Sequence, residues 1–120
     1  FGHTIGHAIE SLFLHTGNQI PHGEAVAMGM ICETKISFLQ GLISEATCEE
    51  IMENISRYYP KLYIESFPIE TIMELMINDK KNVGGQIKFS LLEGIGSGVF
   101  DQQVSGQQIV DALQFYQNLD

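Results

Sequence analysis

The residues best suited to chemistry are His3 and His7, in His3-Thr4-Ile5-Gly6-His7, and His22, in His22-Gly23-Glu24. Imidazoles four residues apart lie one above the other on a helix face, where one metal ion can reach either or both. Zinc-dependent proteases use the same spacing, with a glutamate directly after the first histidine as general base. Thr4 occupies that place here, so a protease would lack its catalytic residue. His22 opens the next helical stretch after a short connection and can fold back beside His3 and His7. Catalytic zinc usually takes about three protein ligands and keeps one position open. The segment offers His3, His22 and, as a third candidate, His7, without an evident carboxylate partner. Glu24 is only two positions past His22, and Glu10 stands nearly two helical turns from His3. Spacing alone leaves two readings: half a metal site, or polar residues on solvated helix ends. His15 has no partner in sequence and reads as a surface residue.

A second candidate is Asp79-Lys80-Lys81, because the chain has only 6 Lys and Arg and two of them are adjacent here. Lysines near a helix C-terminus complement the macrodipole; the same pair could also present charge to an anionic substrate. Gly94-Ile95-Gly96-Ser97-Gly98 lacks the strand–turn–helix setting and the lysine of a phosphate-binding loop, and reads as a hairpin turn.

These residues need elements to hold them. Ile5, Ala8, Ile9, Leu12 and Phe13 recur at helical spacing, which turns His3, His7 and Glu10 away from that helix's core. Thr16-Gly17-Asn18 ends the helix, since Gly and Asn adopt left-handed backbone readily. A second helix runs from Pro21 to about Gly41. Its stretch Ala25 to Cys32 is apolar on every side, which predicts a central helix surrounded by protein. Ser44 to Tyr59 reads as a third helix, with Thr47 and Glu50 at capping-box spacing if Thr47 is the N-cap, ended by Pro60. Pro68 precedes a fourth, carried by Ile69, Ile72, Met73, Met76 and Ile77 and ended near Asp79 to Gly85. Gln86 to Leu92 and Val99 to Phe100 read as two short strands. A last helix starts at Ser105, with Gln108 completing a capping box and Val104 facing Ile109 as a staple. The predicted fold class is mainly α: one multi-helical domain over residues 1–120 with a small β-hairpin near residues 86–100.

Composition narrows the function. The 120 residues are 44% hydrophobic and 18% charged, enough to bury a core rather than remain disordered. A net charge of −9 argues against nucleic acid, whose phosphates need a basic face. No apolar run approaches the roughly 18 residues of a membrane span. Cys32 and Cys48 form no disulfide framework, which suits a reducing cytoplasm. The chain opens on Phe1 with no charged leader, so the expectation is a segment of a longer polypeptide without a signal peptide.

Taken together, Phe1-Gly2-His3-Thr4-Ile5-Gly6-His7-Ala8-Ile9-Glu10, then His22-Gly23-Glu24-Ala25-Val26-Ala27-Met28-Gly29-Met30, then Asp79-Lys80-Lys81-Asn82, resemble the 3-dehydroquinate synthases. Gly85-Gln86-Ile87-Lys88-Phe89-Ser90-Leu91-Leu92 and Ile95-Gly96 fit the same family in matching order. The resemblance implies the C-terminal helical, metal- and substrate-binding half of a two-domain enzyme whose N-terminal domain, absent here, binds NAD. It also implies Zn2+ or Co2+ held by a glutamate from outside this segment and by two histidines matching His3 and His22. His7 matches a histidine at the substrate's phosphate end, and one of Lys80 and Lys81 matches a substrate-binding lysine.

The implied reaction turns 3-deoxy-D-arabino-heptulosonate 7-phosphate into 3-dehydroquinate and phosphate, a carbon–oxygen lyase step of the shikimate pathway and aromatic amino acid biosynthesis. The implied setting is a cytoplasmic homodimer acting on a small sugar phosphate, without nucleic acid or membrane, and the segment alone is expected to be inactive. Two alternatives stay open: a related sugar-phosphate cyclase such as 2-deoxy-scyllo-inosose synthase, and a stand-alone helical metal-binding or interaction module.

Overall fold

The computed structural model describes residues 3–15, 17, 20–62, 68–80, 87–94 and 97–119; side chains at 3–4, 77–80, 87–94, 97 and 99–103 lie outside the description. Helix α1 spans His3–His15. Ile5, Ala8, Ile9 and Leu12 are buried and His7 is exposed, as the period of the apolar residues predicts. Gly17, at φ +83°, turns the chain just past the helix end.

Helix α2, His22–Leu39, is the central element. It packs against α1, against α3 (Glu45–Tyr58), against α5 (Gly106–Gln117) and against strand β1 (Ile87–Gly94). Neighbours on so many sides explain why its sequence has no polar face. Ala25, Ala27, Met28, Gly29, Ile31, Cys32 and Ile36 are buried, and so are Glu33, Thr34 and Ser37. Thr34 and Ser37 hydroxyls donate to the carbonyls of Met30 and Glu33, one turn back, which lets them sit inside. The helix closes with paired bonds from Leu42 N to Ser37 O and from Gly41 N to Phe38 O, made possible by Gly41 at φ +79°.

Helix α3 has the bounds the sequence reading gave it, capped by Ser44 and Tyr59, but without the capping box that a Thr47 N-cap would have made. Ser44, not Thr47, is the N-cap, its hydroxyl accepting from Thr47 N at 3.2 Å. Thr47 is inside the first turn, so its spacing to Glu50 forms no box. Helix α4, Ile69–Lys80, begins directly after Pro68, whose carbonyl accepts from Thr71 N and Ile72 N. Strand β2, Ser97–Val104, pairs antiparallel with β1, from Ile87 opposite Val104 to Gly94 opposite Ser97. The hairpin is where the sequence placed it, but β2 runs on to Val104 rather than ending at Phe100. Register shifts between Phe89 and Leu91 and between Leu92 and Gly94 put an extra residue first on β2 and then on β1.

Helix α5 carries the predicted capping box, with Ser105 and Gln108 exchanging side chain-to-backbone bonds. Val104 and Ile109 on either side of it are both buried in the core. That core joins Ile5 and Ile9 of α1, Met28 and Ile36 of α2, Ile72 and Met76 of α4, and Ile109, Leu113 and Tyr116 of α5. The buried Tyr116 hydroxyl accepts from Leu62 N at 2.8 Å, so its polar end is satisfied. The molecule measures 38 × 37 × 21 Å, a slab about two helix layers thick, with α2 in its middle.

Candidate functional site

The first turns of α1 and α2 meet because Gly6 lets them. A Cβ at this position would stand 3.0 Å from Ala25 O and 3.2 Å from Val26 Cα, both backbone atoms that have little room to yield. The close approach brings the exposed edge of α1 alongside the start of α2. The His7 and His22 rings lie 6.3 Å apart, centroid to centroid, at an interplanar angle of 42°.

Glu10, one turn after His7 on the same edge, reaches across the interface. Its Oε1 accepts from His22 Nδ1 at 3.0 Å. A carboxylate can only accept, so this contact places the ring proton on Nδ1. Any metal bond from His22 then uses Nε2. Sequence reasoning put Glu10 on the histidine face but did not make it a partner of His22. Its distance from His3 along α1 made it look remote, whereas what matters is its distance from His22 across the helix pair. The available clue was its position three residues after His7, on the same helix edge.

His3 is the first residue of α1, one turn before His7, and its side chain lies outside the description. Lys80 is the last residue of α4, likewise without a described side chain, and Lys81 lies outside the described residues. Among the described residues, no three potential metal ligands converge. The described part of the site is therefore His7, His22 and Glu10. Its donor chemistry fits a borderline cation: imidazole nitrogen for the bond, and a carboxylate behind the ring to fix its tautomer. His22 also lines a groove of about 260 Å³ with Gly23, Val26, Ala27, Met30 and Tyr59, so space for a small molecule adjoins the imidazole.

The thiols are built for packing. Cys32 is buried with its Sγ 3.9 Å from Ala112 O, and burial, with a smaller push from Glu33, drives its pKa far above the ordinary thiol range. Burial also raises Cys48. Neither is poised as a thiolate nucleophile.

Solved enzymes share this fold. The chain superposes on 2-deoxy-scyllo-inosose synthase, complexed with carbaglucose-6-phosphate, NAD+ and Co2+, with a TM-score of 0.73 and 26% identity over 96% of this chain and 32% of that one. It superposes equally, at TM-score 0.73, on ValA, a 2-epi-5-epi-valiolone synthase from Streptomyces hygroscopicus with NAD+ and Zn2+ bound; at 24% identity over 93% of this chain and 31% of that one, this likeness shows the fold. The fold is thus the one these two enzymes use for about a third of their length. More narrowly, residues 1–82 match the profile described as 3-dehydroquinate synthase C-terminal, and the chain belongs to that family. It is 40% identical to the 3-dehydroquinate synthase of Parabacteroides distasonis over 97% of this chain and 33% of the relative. It is 34% identical to that of Leptospira interrogans over 93% and 30%. The chain spans about a third of the length of these curated relatives. Among the described residues, no helix is long and apolar enough to cross a membrane.

Proposed function

We propose that this chain is the C-terminal metal- and substrate-binding domain of an enzyme that converts 3-deoxy-D-arabino-heptulosonate 7-phosphate to 3-dehydroquinate and phosphate. His3 and His22 hold Zn2+ or Co2+, together with a carboxylate from another part of the full-length polypeptide. NAD sits mainly on an N-terminal domain, and the whole works as a cytoplasmic homodimer. The observation that carries this reading is the pairing of the His7 and His22 rings across the α1–α2 contact, 6.3 Å apart, inside the family's matched residues.

When bound, the metal supplies a Lewis acid for a substrate oxygen, and NAD supplies a reversible hydride acceptor. The chain's own residues bind and orient. His22, held at Nδ1 by Glu10, keeps its ring fixed at the mouth of the groove. His7 stands exposed beside it, one turn along α1 from His3, and meets the phosphate end of the substrate. Lys80, the last residue of α4, and Lys81, next in sequence, bring positive charge. A chain of net charge −9 repels a phosphate ester at long range, so these local cations must do the neutralising.

The test uses the full-length protein with NAD and Zn2+ or Co2+. Phosphate release from 3-deoxy-D-arabino-heptulosonate 7-phosphate, and none from glucose 6-phosphate, is expected. The reverse preference would favour the second reading, a cyclase like 2-deoxy-scyllo-inosose synthase, to which the fold similarity points. His3→Ala and His22→Ala are each expected to lower turnover by more than about a hundredfold, since even groups behind metal ligands contribute on the order of 10–100-fold. Wild-type turnover and metal content in either variant would contradict the assignment.

A further inference from the structure

We infer that Glu10 is a positioning residue for metal binding: across the α1–α2 contact it holds His22 in the Nδ1–H tautomer and in the orientation from which Nε2 meets the cation. The inference rests on the proposed role of His22 as a ligand and adds a residue to it. The geometry is specific. Glu10 Oε1 and His22 Nδ1 are 3.0 Å apart although twelve positions separate them in sequence. A half-buried glutamate on a helix edge could accept from water instead of from a neighbouring helix's first residue. The Glu10 side chain is 29% exposed and His22 56% exposed, too open for this pair to be a strong tie between the helices.

What the contact does determine is which ring nitrogen carries the proton. In a free neutral imidazole the two tautomers interconvert, and a ligand that must first shift to the right one binds less tightly. A carboxylate on Nδ1 removes that cost and makes Nε2 more basic. Gly6 makes the contact possible, because the close approach at Ala25 sets the distance between the two helix edges. Glu10 thereby links the packing of α1 on α2 to the chemistry at His22.

The experiment compares the wild type, Glu10→Ala, Glu10→Gln and His22→Ala in the full-length protein. Zn2+ affinity is read by chelator competition, and the His22 tautomer by nitrogen-15 NMR of the metal-free protein above the range where imidazole is charged. Glu10→Ala is expected to weaken Zn2+ binding about 10–100-fold and to release His22 from the Nδ1–H form. Glu10→Gln keeps an acceptor oxygen and is expected to recover part of the affinity and most of the tautomer. Affinity within about twofold of wild type in Glu10→Ala, or an unchanged His22 tautomer, would overturn the inference, whatever happens to thermal stability. His22→Ala separates the two ideas: if it leaves Zn2+ affinity untouched, the ligand assignment itself has failed.

Discussion

Gly6 is an unpromising residue for the middle of a helix, where glycine is about 1 kcal/mol worse than alanine in propensity. The space it leaves is taken by the backbone of Ala25 and Val26. Gly6→Ala is therefore expected to destabilise the fold by about 1–3 kcal/mol, overriding the gain in propensity, and to weaken Zn2+ binding as the two helix edges part. Urea midpoints and metal titration check both halves, and a stabilised variant would contradict the packing account. Cys32 gives a pH prediction. Burial raises its pKa in the folded state, while the unfolded thiol ionises near its ordinary 9.0. Above that pH the unfolded chain loses a proton that the folded chain keeps, so stability falls as pH rises and is unaffected by this group below it. The difference in urea midpoint between wild type and Cys32→Ala should accordingly shift in the variant's favour between pH 7 and pH 10, the smaller effect of Cys48 being common to both.

At the scale of elements, the caps distinguish what sequence spacing can and cannot decide. Ser105 and Gln108 form the box their spacing announced, whereas the start of α3 belongs to Ser44. Both Ser44 and Thr47 are good capping types, and although only Thr47 has a glutamate three residues on, it is the Ser44 hydroxyl that caps, accepting from Thr47 N. Ser44→Ala is expected to cost about 1 kcal/mol, and Thr47→Ala clearly less, in chemical denaturation. The helices themselves were legible because apolar residues at helical spacing need a core to face, as α1 shows from Ile5 to Leu12. The burial of α2 could be read from its missing polar face, but not the buried Glu33, Thr34 and Ser37 on its later turns. The pairing of His7 with His22 was foreseeable from a short connection that returns the chain. The Glu10–His22 contact was legible only as far as the shared face of His7 and Glu10, because its distance depends on how closely two helices approach, which Gly6 permits.

The whole molecule is a slab built around α2, with His7 and His22 brought together where the first turns of α1 and α2 meet. Such a site is suited to completion by a second domain, and the described residues by themselves bring together too few ligands for a closed metal centre. Isothermal titration is therefore expected to show the 120-residue chain binding Zn2+ weakly and the full-length protein binding it tightly. Tight, stoichiometric binding by the short chain would instead favour a self-sufficient helical metal module. The most direct measurement is an anomalous difference map at the zinc edge from crystals of the full-length protein loaded with Zn2+. The account predicts one strong peak about 2.0–2.1 Å from Nε2 of His22, shared with His3, with Glu10 hydrogen-bonded behind the His22 ring. A zinc peak bound elsewhere, with both imidazoles outside bonding distance, would contradict it.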